Sequence, residues 1–519
     1  MISESLNPSL EEEFKKKKID RTLTISILNR YNNGDFDHFV PIKVHSLPEV
    51  DGQQIIDMTK NVSYEIGADQ FYKNMEQILP EEVFLQYYRK YFKRSSGRIH
   101  LGQSELYELG MHLIPKVAYG ILNGGSATSY VDEKKNRSFS HELFHITSPL
   151  FEQAAEISRG KPKGVTPAFM NPDGTIGPSF LELKMRALLI KSLKYRRYFS
   201  GDPVNIKELL PMFQMTSIYT DTAIQSSLEE YRRSPLIEGF YSEHHSSIMD
   251  PLTALQPLIA AYTPSSEGQP KGLFTKAWGT ENTLLPLPGG HGQNFSVLSN
   301  IYQDLYAQGF KYAYLGNIDN LGNTVNPIHI ALLALSGKEG AFEFSFKTPV
   351  DIKGGILVRD QSGKLNAADI GPAISKDEVL QAENSGKPIL FNCAAGIFDL
   401  HYLSENLDYI SRELPTRFSD QDKDAGRYSQ AEQITWEIIG MMENPLILGV
   451  QKYDRFLASK LLLENLMTSG ISLEHPDYPP QLRPLALKLH AGLKRVLEGP
   501  YGLKLVHNKW IPKTPEEIE

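Results

Sequence analysis

Asp319 has the residue type and the position expected of a carboxylate that binds a metal ion. It lies in Asn317-Ile-Asp-Asn-Leu-Gly322, directly after Tyr312 to Gly316, which is apolar on successive residues like a strand covered on both faces. Ligands of open α/β sheets bind at the carboxyl ends of such strands. A hydrated divalent cation that carries phosphates commonly uses one or two carboxylates. The segment therefore indicates a phosphate–metal site, although Asp-Asn-Leu-Gly is also ordinary turn chemistry.

Two loops rich in glycine could bring backbone N–H groups close to phosphate oxygens. Asn123-Gly-Gly-Ser-Ala-Thr-Ser129 follows the buried-strand candidate Val117 to Asn123, and Pro286 to Gly292 reads Pro-Leu-Pro-Gly-Gly-His-Gly. A nest of successive N–H groups holds anions. The first loop is not a Walker loop, because no Gly-Lys-Ser/Thr follows it. A Gly-Gly turn and a mobile surface loop, respectively, are the alternatives.

Lysines in two further segments could neutralise phosphate charge. Lys161 and Lys163 lie in Gly160-Lys-Pro-Lys-Gly164, where the proline restricts the backbone, and Lys460 ends the segment that begins at Arg455. An ammonium group binds a phosphate as a point charge. Taken alone, the first segment favours exposed lysines, and a basic pair at i, i+5 such as Arg455 and Lys460 is only mildly unusual.

The pattern His141-Glu-Leu-Phe-His145 matches that of zinc proteases, where two histidines bind the metal and the glutamate acts as base. The sequence disfavours this chemistry, because His141 falls in the first turn of its helix and Pro149 follows soon after. No Gly-x-x-His continuation is present either. We expect surface or core histidines here, and we expect Cys393 to be a small buried residue and not a nucleophile.

The composition bounds the class of protein. Of 519 residues, 41% are hydrophobic and 22% are charged, as in soluble globular proteins. The net charge of −8 disfavours a general nucleic-acid binder. The single cysteine excludes an intrachain disulfide and fits a reducing compartment. We find neither the apolar region of a signal peptide nor a run that could span a membrane, so we expect a cytoplasmic protein.

Strands that alternate with helices predict a doubly wound α/β core. The predicted strands are 117–123, 211–217, 312–316, 342–346, 387–392 and a hairpin over 355–368. The predicted helices are 180–195, the stretch through Glu229 and Glu230, 295–305 and 485–497. We expect a mainly helical region at 1–110, the α/β domain at 111–465 and a small region of turns and one helix at 466–519, with a frayed tail from 513.

Taken in order, these segments resemble the UTP–sugar-1-phosphate uridylyltransferase family, and most of all its UTP–glucose-1-phosphate branch. The loop at 123–129 resembles that branch's N-G-G-x-G-T-S-M-G, followed by the lysine of 162–164 and the strand end Met215-Thr-Ser. The loop at 288–292 resembles its P-x-G-H-G and the segment 317–322 its x-x-D-N-L-G. The segments 353–355, 391–392 and 455–460 resemble its K-G-G, F-N and R-F-x-P-V-K. The resemblance covers about 117 to 465.

The resemblance implies a Rossmann-like, mixed but mainly parallel sheet of the glycosyltransferase-A-like kind. It also implies transfer of a uridylyl group from UTP to a sugar 1-phosphate, most simply glucose 1-phosphate, with Mg²⁺ as cofactor and pyrophosphate as leaving group. The implied partners are these two substrates, with neither nucleic acid nor membrane. The oligomeric state stays open.

The resemblance also implies a role for each site residue. Lys163 and Lys460 would grip phosphates, with Lys161 as the fallback for Lys163, and Asp319 would hold Mg²⁺. The residues implied to bind the nucleotide are Gly124, Gly125, Thr216, Gly290, His291 and Gly292. The residues implied to bind the sugar are Asn317, Gly354, Asp369 and Asn392.

Several residues depart from the family's pattern. Ala127 replaces the third loop glycine, where an alanine would forbid a positive φ, and Tyr130 and Val131 replace Met-Gly. About 30 residues, 132–160, separate the loop from its lysine, more than is usual. Gln293 replaces an aspartate, Asp369 stands near a glutamate and 393–395 differ as well.

Two alternatives follow. One is an N-acetylglucosamine 1-phosphate substrate, disfavoured by Ser129 where that branch places arginine. The other is a non-catalytic nucleotide-sugar-binding protein.

Overall fold

A computed structural model describes residues 7–37, 42–93, 97–199, 208–240, 246–348, 351 and 354–518. Its helices, in chain order, are α1 (Pro8–Lys16), α2 (Arg21–Asn32), α3 (Ala68–Met75), α4 (Glu81–Tyr91), α5 (Gln103–Leu113), α6 (Glu133–Phe139), α7 (His141–Ser158), α8 (Phe180–Tyr198), α9 (Asp221–Tyr231), α10 (Ser246–Met249), α11 (Asn294–Val297), α12 (Ser299–Ala307), α13 (Pro327–Ser336), α14 (Lys376–Asn384), α15 (Leu400–Glu413), α16 (Lys452–Arg455), α17 (Leu462–Leu466) and α18 (Arg483–Glu498). No described helix has the length and apolar character needed to cross a membrane.

The strands, in chain order, are β1 (Val44–Ser46), β2 (Ile55–Asp57), β3 (Tyr64–Gly67), β4 (Phe92–Lys93), β5 (Arg98–Leu101), β6 (Val117–Leu122), β7 (Met212–Ser217), β8 (Leu252–Gln256), β9 (Leu258–Ala260), β10 (Pro286–Pro288), β11 (Tyr312–Asn317), β12 (Gly340–Phe346), β13 (Gly355–Asp360), β14 (Leu365–Asp369), β15 (Leu390–Asp399), β16 (Thr416–Lys423), β17 (Gly426–Gln433), β18 (Leu446–Val450), β19 (Leu503–Val506) and β20 (Lys509–Pro512).

Eight of these strands form one path through the central sheet. The order is β2-β18-β12-β15-β11-β6-β7-β8, and β13 joins it through β15 and also pairs with β1 and β14. Every neighbouring pair on the path is parallel except the two that β15 makes with β11 and β12. The sheet is therefore mixed and mainly parallel, which confirms the predicted fold class.

Burial on both faces explains why the central strands form. All six residues of β6 are buried, as are the first five of β11. A strand covered by helices on both sides needs a continuous apolar run, not alternation. The helices that cover it begin at clear signals. Ser179 caps α8 by accepting from the Glu182 N–H, and Pro327 stands at the start of α13 after its cap Asn326.

Several predicted boundaries were wrong in detail. Residues 286–288, predicted as part of a turn-rich loop, form β10, which pairs antiparallel with β9. The helix predicted over 295–305 is broken at Leu298 into α11 and α12. The strand predicted over 387–392 begins later, at Leu390, and runs on to Asp399.

Segments near both ends of the chain form strands. Strand β2 pairs with β18 of the central sheet, and β1 pairs with β13. After α18 the chain forms the hairpin β19–β20, which was not predicted. The prediction of a frayed tail was wrong for the described residues 513–518. Ile518 is buried, and Arg197 donates to its carbonyl oxygen and to that of Pro515.

Candidate functional site

The carboxyl ends of four parallel strands meet at one edge of the sheet and carry polar residues there. Asn123 follows β6, Thr216 lies near the end of β7, Gln256 ends β8 and Asn317 ends β11. The register is direct, with Asn317 opposite Leu122 and Gln256 opposite Ser217. This is the edge where open α/β sheets bind ligands.

The glycine loop after β6 is paired with the lysine loop. The Lys163 N–H donates to the Gly125 carbonyl at 3.0 Å, and the Ala127 N–H donates to the Lys161 carbonyl at 3.0 Å. Gly125 is exposed, and a Cβ added there would meet no atom within 4 Å, so its backbone faces open space. The two loops, predicted from separate segments, form one continuous wall of the site.

The Lys163 side chain joins this wall to the predicted metal ligand. Its Nζ lies 2.8 Å from Asp319 Oδ2, and the two side chains are only 12% and 17% exposed. The same ammonium group donates to the Ser459 carbonyl and lies 4.8 Å from the centre of the Tyr130 ring. Two of the sequence-predicted residues are thus in direct contact across 156 residues of chain.

The turn that carries Asp319 is held from behind by the segment before Lys460. The Leu321 N–H donates to the Leu457 carbonyl at 3.1 Å, and the Leu457 N–H donates back to Asn320 Oδ1 at 3.0 Å. Lys460 itself is exposed, and its N–H donates to Glu464 Oε2 at 2.6 Å. Its ammonium group is therefore available to a ligand, while its backbone is fixed.

Arg455, which begins the basic segment that ends at Lys460, forms a buried ion pair and has a structural role. Its guanidinium contacts the buried carboxylate of Glu343, donating from Nε at 3.0 Å, and also reaches the carbonyl of Thr324 at 3.1 Å. Glu343 Oε1 also accepts a hydrogen bond from Nδ1 of the His329 ring at 3.1 Å. Burial opposes the charge of Glu343, but Arg455 and His329 more than offset it and lower the pKa of Glu343 to about 2.

The second glycine-rich loop is fixed by close packing. Gly290 has φ of +83°, and a Cβ there would meet the Gln433 carbonyl oxygen at 2.3 Å. A Cβ on Gly292 would meet Gln433 at 2.7 Å. Only glycine fits either position, because β17 passes directly against this backbone.

His291, between these glycines, is held in its neutral form. Burial, with a smaller contribution from the charge of Lys460, lowers the pKa of His291 to about 4. Its Nδ1 accepts the Thr435 N–H at 3.1 Å, so the ring proton lies on Nε2.

Gln256 is a site residue that the sequence did not reveal. Its Nε2 donates to the Gly290 carbonyl at 2.7 Å and to Gln293 Oε1 at 2.9 Å. A Cβ on Gly124 would lie 3.3 Å from Gln256 Oε1. Gln256 therefore bridges the two glycine-rich loops. A single glutamine at a strand end carries no pattern that could have identified it.

The side chain of Thr216 points toward α9, the helix that follows its strand, and not toward open space. It is buried, and its hydroxyl lies 2.9 Å from Asp221 Oδ1 at the start of α9. Its carbonyl packs 3.5 Å from the Cβ that Gly124 lacks. The structure therefore brings Thr216 to the glycine loop at 123–129 through its backbone.

The residues predicted to bind sugar form a second group. A Cβ on Gly355 would lie 3.7 Å from Asp369 Oδ1 and 3.8 Å from Asn392 Cβ, so these three residues are neighbours. Gly354 has φ of +130° and lies against the Phe391 ring. Asn317 lies one strand away, since Gly316 pairs with Ala395 of β15. Lys353 lies outside the described residues.

The departures from the family's loop have a common physical reason. Ala127 is completely buried and has no positive φ, which agrees with the expectation that an alanine forbids a positive φ at this position. Tyr130 is buried beside it, and its carbonyl accepts the Leu462 N–H at 2.9 Å. Residues 132–160 form α6 and α7, which pack with α17 in one apolar cluster that includes Ala127 and Tyr130. The extra helices thus tie the glycine loop to the segment just after Lys460.

The zinc-protease-like pattern and the single cysteine do not form a catalytic site among the described residues. His141 and His145 are both exposed, and no group of three His, Cys, Asp or Glu side chains suited to a metal occurs among the described residues. Cys393 is buried, and burial raises its pKa, so the thiol is not a nucleophile.

Comparison with protein families identifies one match. Residues 263–472 match the family described as UTP–glucose-1-phosphate uridylyltransferase. A protein of Schizosaccharomyces pombe named probable UTP–glucose-1-phosphate uridylyltransferase is 27% identical over 213 residues, 40% of this chain and 36% of the relative. UTP–glucose-1-phosphate uridylyltransferase of Saccharomyces cerevisiae is 25% identical over 220 residues, 42% and 38% of the two chains. The aligned part spans little more than a third of these relatives.

Solved structures share the fold over more of the chain. A variant of UDP-glucose pyrophosphorylase from Leishmania major superposes with a TM-score of 0.53, at 16% identity, over 91% of this chain and 82% of that one. A UDP-N-acetylglucosamine pyrophosphorylase from Trypanosoma brucei superposes with a TM-score of 0.51, at 16% identity, over 77% and 75%. At these identities the likeness concerns the fold.

Proposed function

We propose that the chain belongs to the UTP–glucose-1-phosphate uridylyltransferase family, which residues 263–472 match, and that it makes a UDP-sugar and pyrophosphate from UTP and a sugar 1-phosphate. Glucose 1-phosphate is the proposed sugar substrate. The single observation that carries the proposal is the contact of Lys163 with Asp319 at the carboxyl edge of the sheet, beside the exposed glycine loop. Separate segments of the chain place a cation, a carboxylate and free backbone N–H groups together there.

In the proposed reaction, a phosphate oxygen of the sugar 1-phosphate attacks the α-phosphorus of UTP in line. A P–O bond to the sugar phosphate forms as the bond from the α-phosphorus to the bridging oxygen breaks, and pyrophosphate leaves with that electron pair. No covalent enzyme intermediate is required. Catalysis then consists of holding two anions together and offsetting their charge.

Asp319 is suited to hold Mg²⁺. It provides a single carboxylate, which agrees with the way Mg²⁺ is bound when substrate phosphates and water supply its other ligands. The bound ion would supply neutralisation of phosphate charge. Without ligands, Lys163 pairs with Asp319. If Asp319 held Mg²⁺, Lys163 would lose this ion pair and its ammonium group would be free to contact the phosphates.

The other roles follow from position. We propose that Lys460 contacts the phosphates, since its side chain is exposed and the segment just before it is hydrogen-bonded to the turn that carries Asp319. Gly124 and Gly125 would lie against the nucleotide, and Gly290, His291 and Gly292 against uridine. Gln256 joins this group, because it connects both loops. The neutral His291 would meet the nucleotide as a hydrogen-bonding group and not as a cation.

For the sugar we propose Asn317, Gly354, Asp369 and Asn392. The last two lie beside Gly355, Asp369 at the end of β14 and Asn392 in β15. We also propose a division near residues 110 and 465 and a cytoplasmic location, the latter because the one cysteine is a free thiol.

The experiment is pyrophosphate release from UTP and Mg²⁺ with a panel of sugar 1-phosphates. Release with glucose 1-phosphate well above that with N-acetylglucosamine 1-phosphate supports the proposal as stated. The opposite preference would replace the substrate and keep the reaction. Protein that is stabilised by UTP in a thermal shift but releases no pyrophosphate with any sugar would be a binding protein and not a transferase.

A further inference from the structure

A closed circuit of four residues surrounds the Lys163 ammonium group. This group lies 4.8 Å from the centre of the Tyr130 ring and donates to the Ser459 carbonyl. The Asn465 side chain joins these two partners, because its Nδ2 donates to the Tyr130 hydroxyl and its Oδ1 accepts from the Ser459 hydroxyl. We call the four residues the Lys163 network. Each of them contacts two others, so none can move without breaking a contact.

The main chain of Tyr130 is fixed by α6 and α17. Its carbonyl accepts from the Leu462 N–H at 2.9 Å and from Asn136 Nδ2 at 2.9 Å. Asn136 Oδ1 in turn accepts from the Leu463 N–H at 2.8 Å. Asn136 belongs to α6, so this helix is bonded to the same short helix that carries Asn465. Tyr130 therefore has both an anchored backbone and an anchored hydroxyl.

The network is shielded from water where it holds the lysine. Tyr130 is 1% exposed and Asn465 is 7% exposed, and the Lys163 side chain is 12% exposed. Hydrogen bonds and cation–π contacts are stronger where solvent is excluded. The Tyr130 hydroxyl and the Asn465 amide would be costly to bury without partners, so each of them fixes the position of the other.

The network would matter most when the cleft is occupied. Without ligands, Lys163 also pairs with Asp319 at 2.8 Å. If Asp319 held Mg²⁺, this pair would be lost, and the contacts with the Tyr130 ring and the Ser459 carbonyl would remain. A misplacement of about 1 Å can cost about 10²-fold in rate. Contacts that keep the ammonium group in place should therefore affect turnover.

We propose that Tyr130 and Asn465 are positioning residues, which hold the Lys163 ammonium group at the phosphate site through the aromatic ring and through Ser459. In this role they act on the reaction only through the lysine. The proposal rests on the proposed function, because that function assigns Lys163 to the phosphates. It also gives α6 a purpose, since this helix fixes the Tyr130 backbone.

The first test is the kinetics of Tyr130→Phe, which keeps the aromatic ring and removes the hydroxyl that Asn465 holds. We expect kcat for pyrophosphate release to fall about tenfold and the KM for UTP to change less than about threefold, because the lysine is misplaced and not removed. In the Lys163→Gln background the same substitution should change kcat less than about twofold, since the group that it positions is gone. A purely structural role would not vanish in that background.

The matched control is Tyr478→Phe. Tyr478 is also 1% exposed, belongs to the same apolar cluster and donates its hydroxyl to the Met467 carbonyl at 2.7 Å. This variant should lose a similar amount of stability in urea unfolding and keep kcat within about twofold of wild type. If Tyr130→Phe fails to fold, Ser459→Ala takes its place, since it removes the hydroxyl bonded to Asn465 and keeps the Ser459 carbonyl.

A second measurement needs no turnover. An amine-acylating reagent modifies Lys163 and the exposed Lys161 of the same loop, and tandem mass spectrometry of the peptides gives the ratio of the two rates. We expect Lys163 to react more slowly than Lys161 in the wild type, because its ammonium group is held. The ratio should rise at least about threefold in Tyr130→Phe and stay unchanged in Tyr478→Phe.

An unchanged kcat in folded Tyr130→Phe would overturn the proposal, and so would an equal loss of kcat in Tyr478→Phe or in the Lys163→Gln background. A wild type that releases no pyrophosphate would instead overturn the proposed function. The acylation ratio then decides on the network alone. A rise in Tyr130→Phe supports the positioning of Lys163, and an unchanged ratio overturns it.

Discussion

Replacing Lys163 with glutamine removes a cation that the structure places in contact with Asp319. The ammonium group makes two hydrogen bonds, to the Asp319 carboxylate and to the Ser459 carbonyl, and lies over the Tyr130 ring. Its side chain is 12% exposed, so solvent screens these contacts little. Glutamine keeps the length of the side chain approximately and one donor group, but not the charge.

Two magnitudes follow. A hydrogen bond to a charged group contributes about 1.5–3 kcal/mol, so the free energy of unfolding should fall by about 2 kcal/mol. Loss of one preorganised group that offsets developing charge costs about 3 kcal/mol of transition-state stabilisation. At about 1.4 kcal/mol for each factor of ten, kcat should fall by about 10²-fold or more.

Lys161→Gln is the matched control. Lys161 is two residues away on the same loop, carries the same charge and is exposed. Pyrophosphate release under saturating UTP and sugar 1-phosphate, with urea unfolding on the same preparations, measures both effects. Turnover of folded Lys163→Gln within about threefold of wild type would refute the assigned role. An equal loss in Lys161→Gln would show that only the net charge of the loop matters.

Three further predictions concern neighbouring residues. Asp319→Asn should raise the Mg²⁺ concentration needed for half-maximal turnover at least about tenfold, and an unchanged Mg²⁺ titration would remove Asp319 as the ligand. Ala127→Gly should leave turnover within about twofold and lower the free energy of unfolding by about 0.5–1 kcal/mol, because the buried alanine has an ordinary φ; a more active variant would contradict this. The pKa of His291 is lowered from 6.5 to about 4, so the folded state binds fewer protons than the unfolded state between these values. The stability that this residue contributes is therefore present above pH 6.5 and is lost as the pH falls toward 4, by up to about 3 kcal/mol. The measurement is the difference in unfolding free energy between wild type and His291→Gln. A difference that stays constant from pH 7 to 4.5 would refute the prediction.

Local patterns in the sequence predicted the elements that carry the site. Strands β6 and β11 were found because each is an unbroken apolar run, and the polar residues after them lie at one edge as parallel pairing requires. Gly290 and Gly292 were predicted as site residues, and the structure shows why these positions hold glycine: Gln433 packs directly against them.

Contacts between distant segments could not be predicted in this way. The pairing of the glycine loop with the lysine loop crosses α6 and α7, and nothing in either loop specifies the other. Gln256 has no motif. Arg455 stood in a basic segment, yet its partner Glu343 lies 112 residues away in β12. The hairpin β19–β20 was not predicted from the sequence, because its strands are short and partly exposed.

The most direct test follows the labelled α-phosphorus of UTP. Protein incubated with UTP labelled at that atom, Mg²⁺ and glucose 1-phosphate should yield a labelled UDP-sugar together with one equivalent of pyrophosphate. Lys460→Ala, which removes only an exposed side chain, should stay folded and lose most of this transfer. Label that remains in UTP with wild-type protein, for every sugar 1-phosphate supplied, would contradict uridylyl transfer.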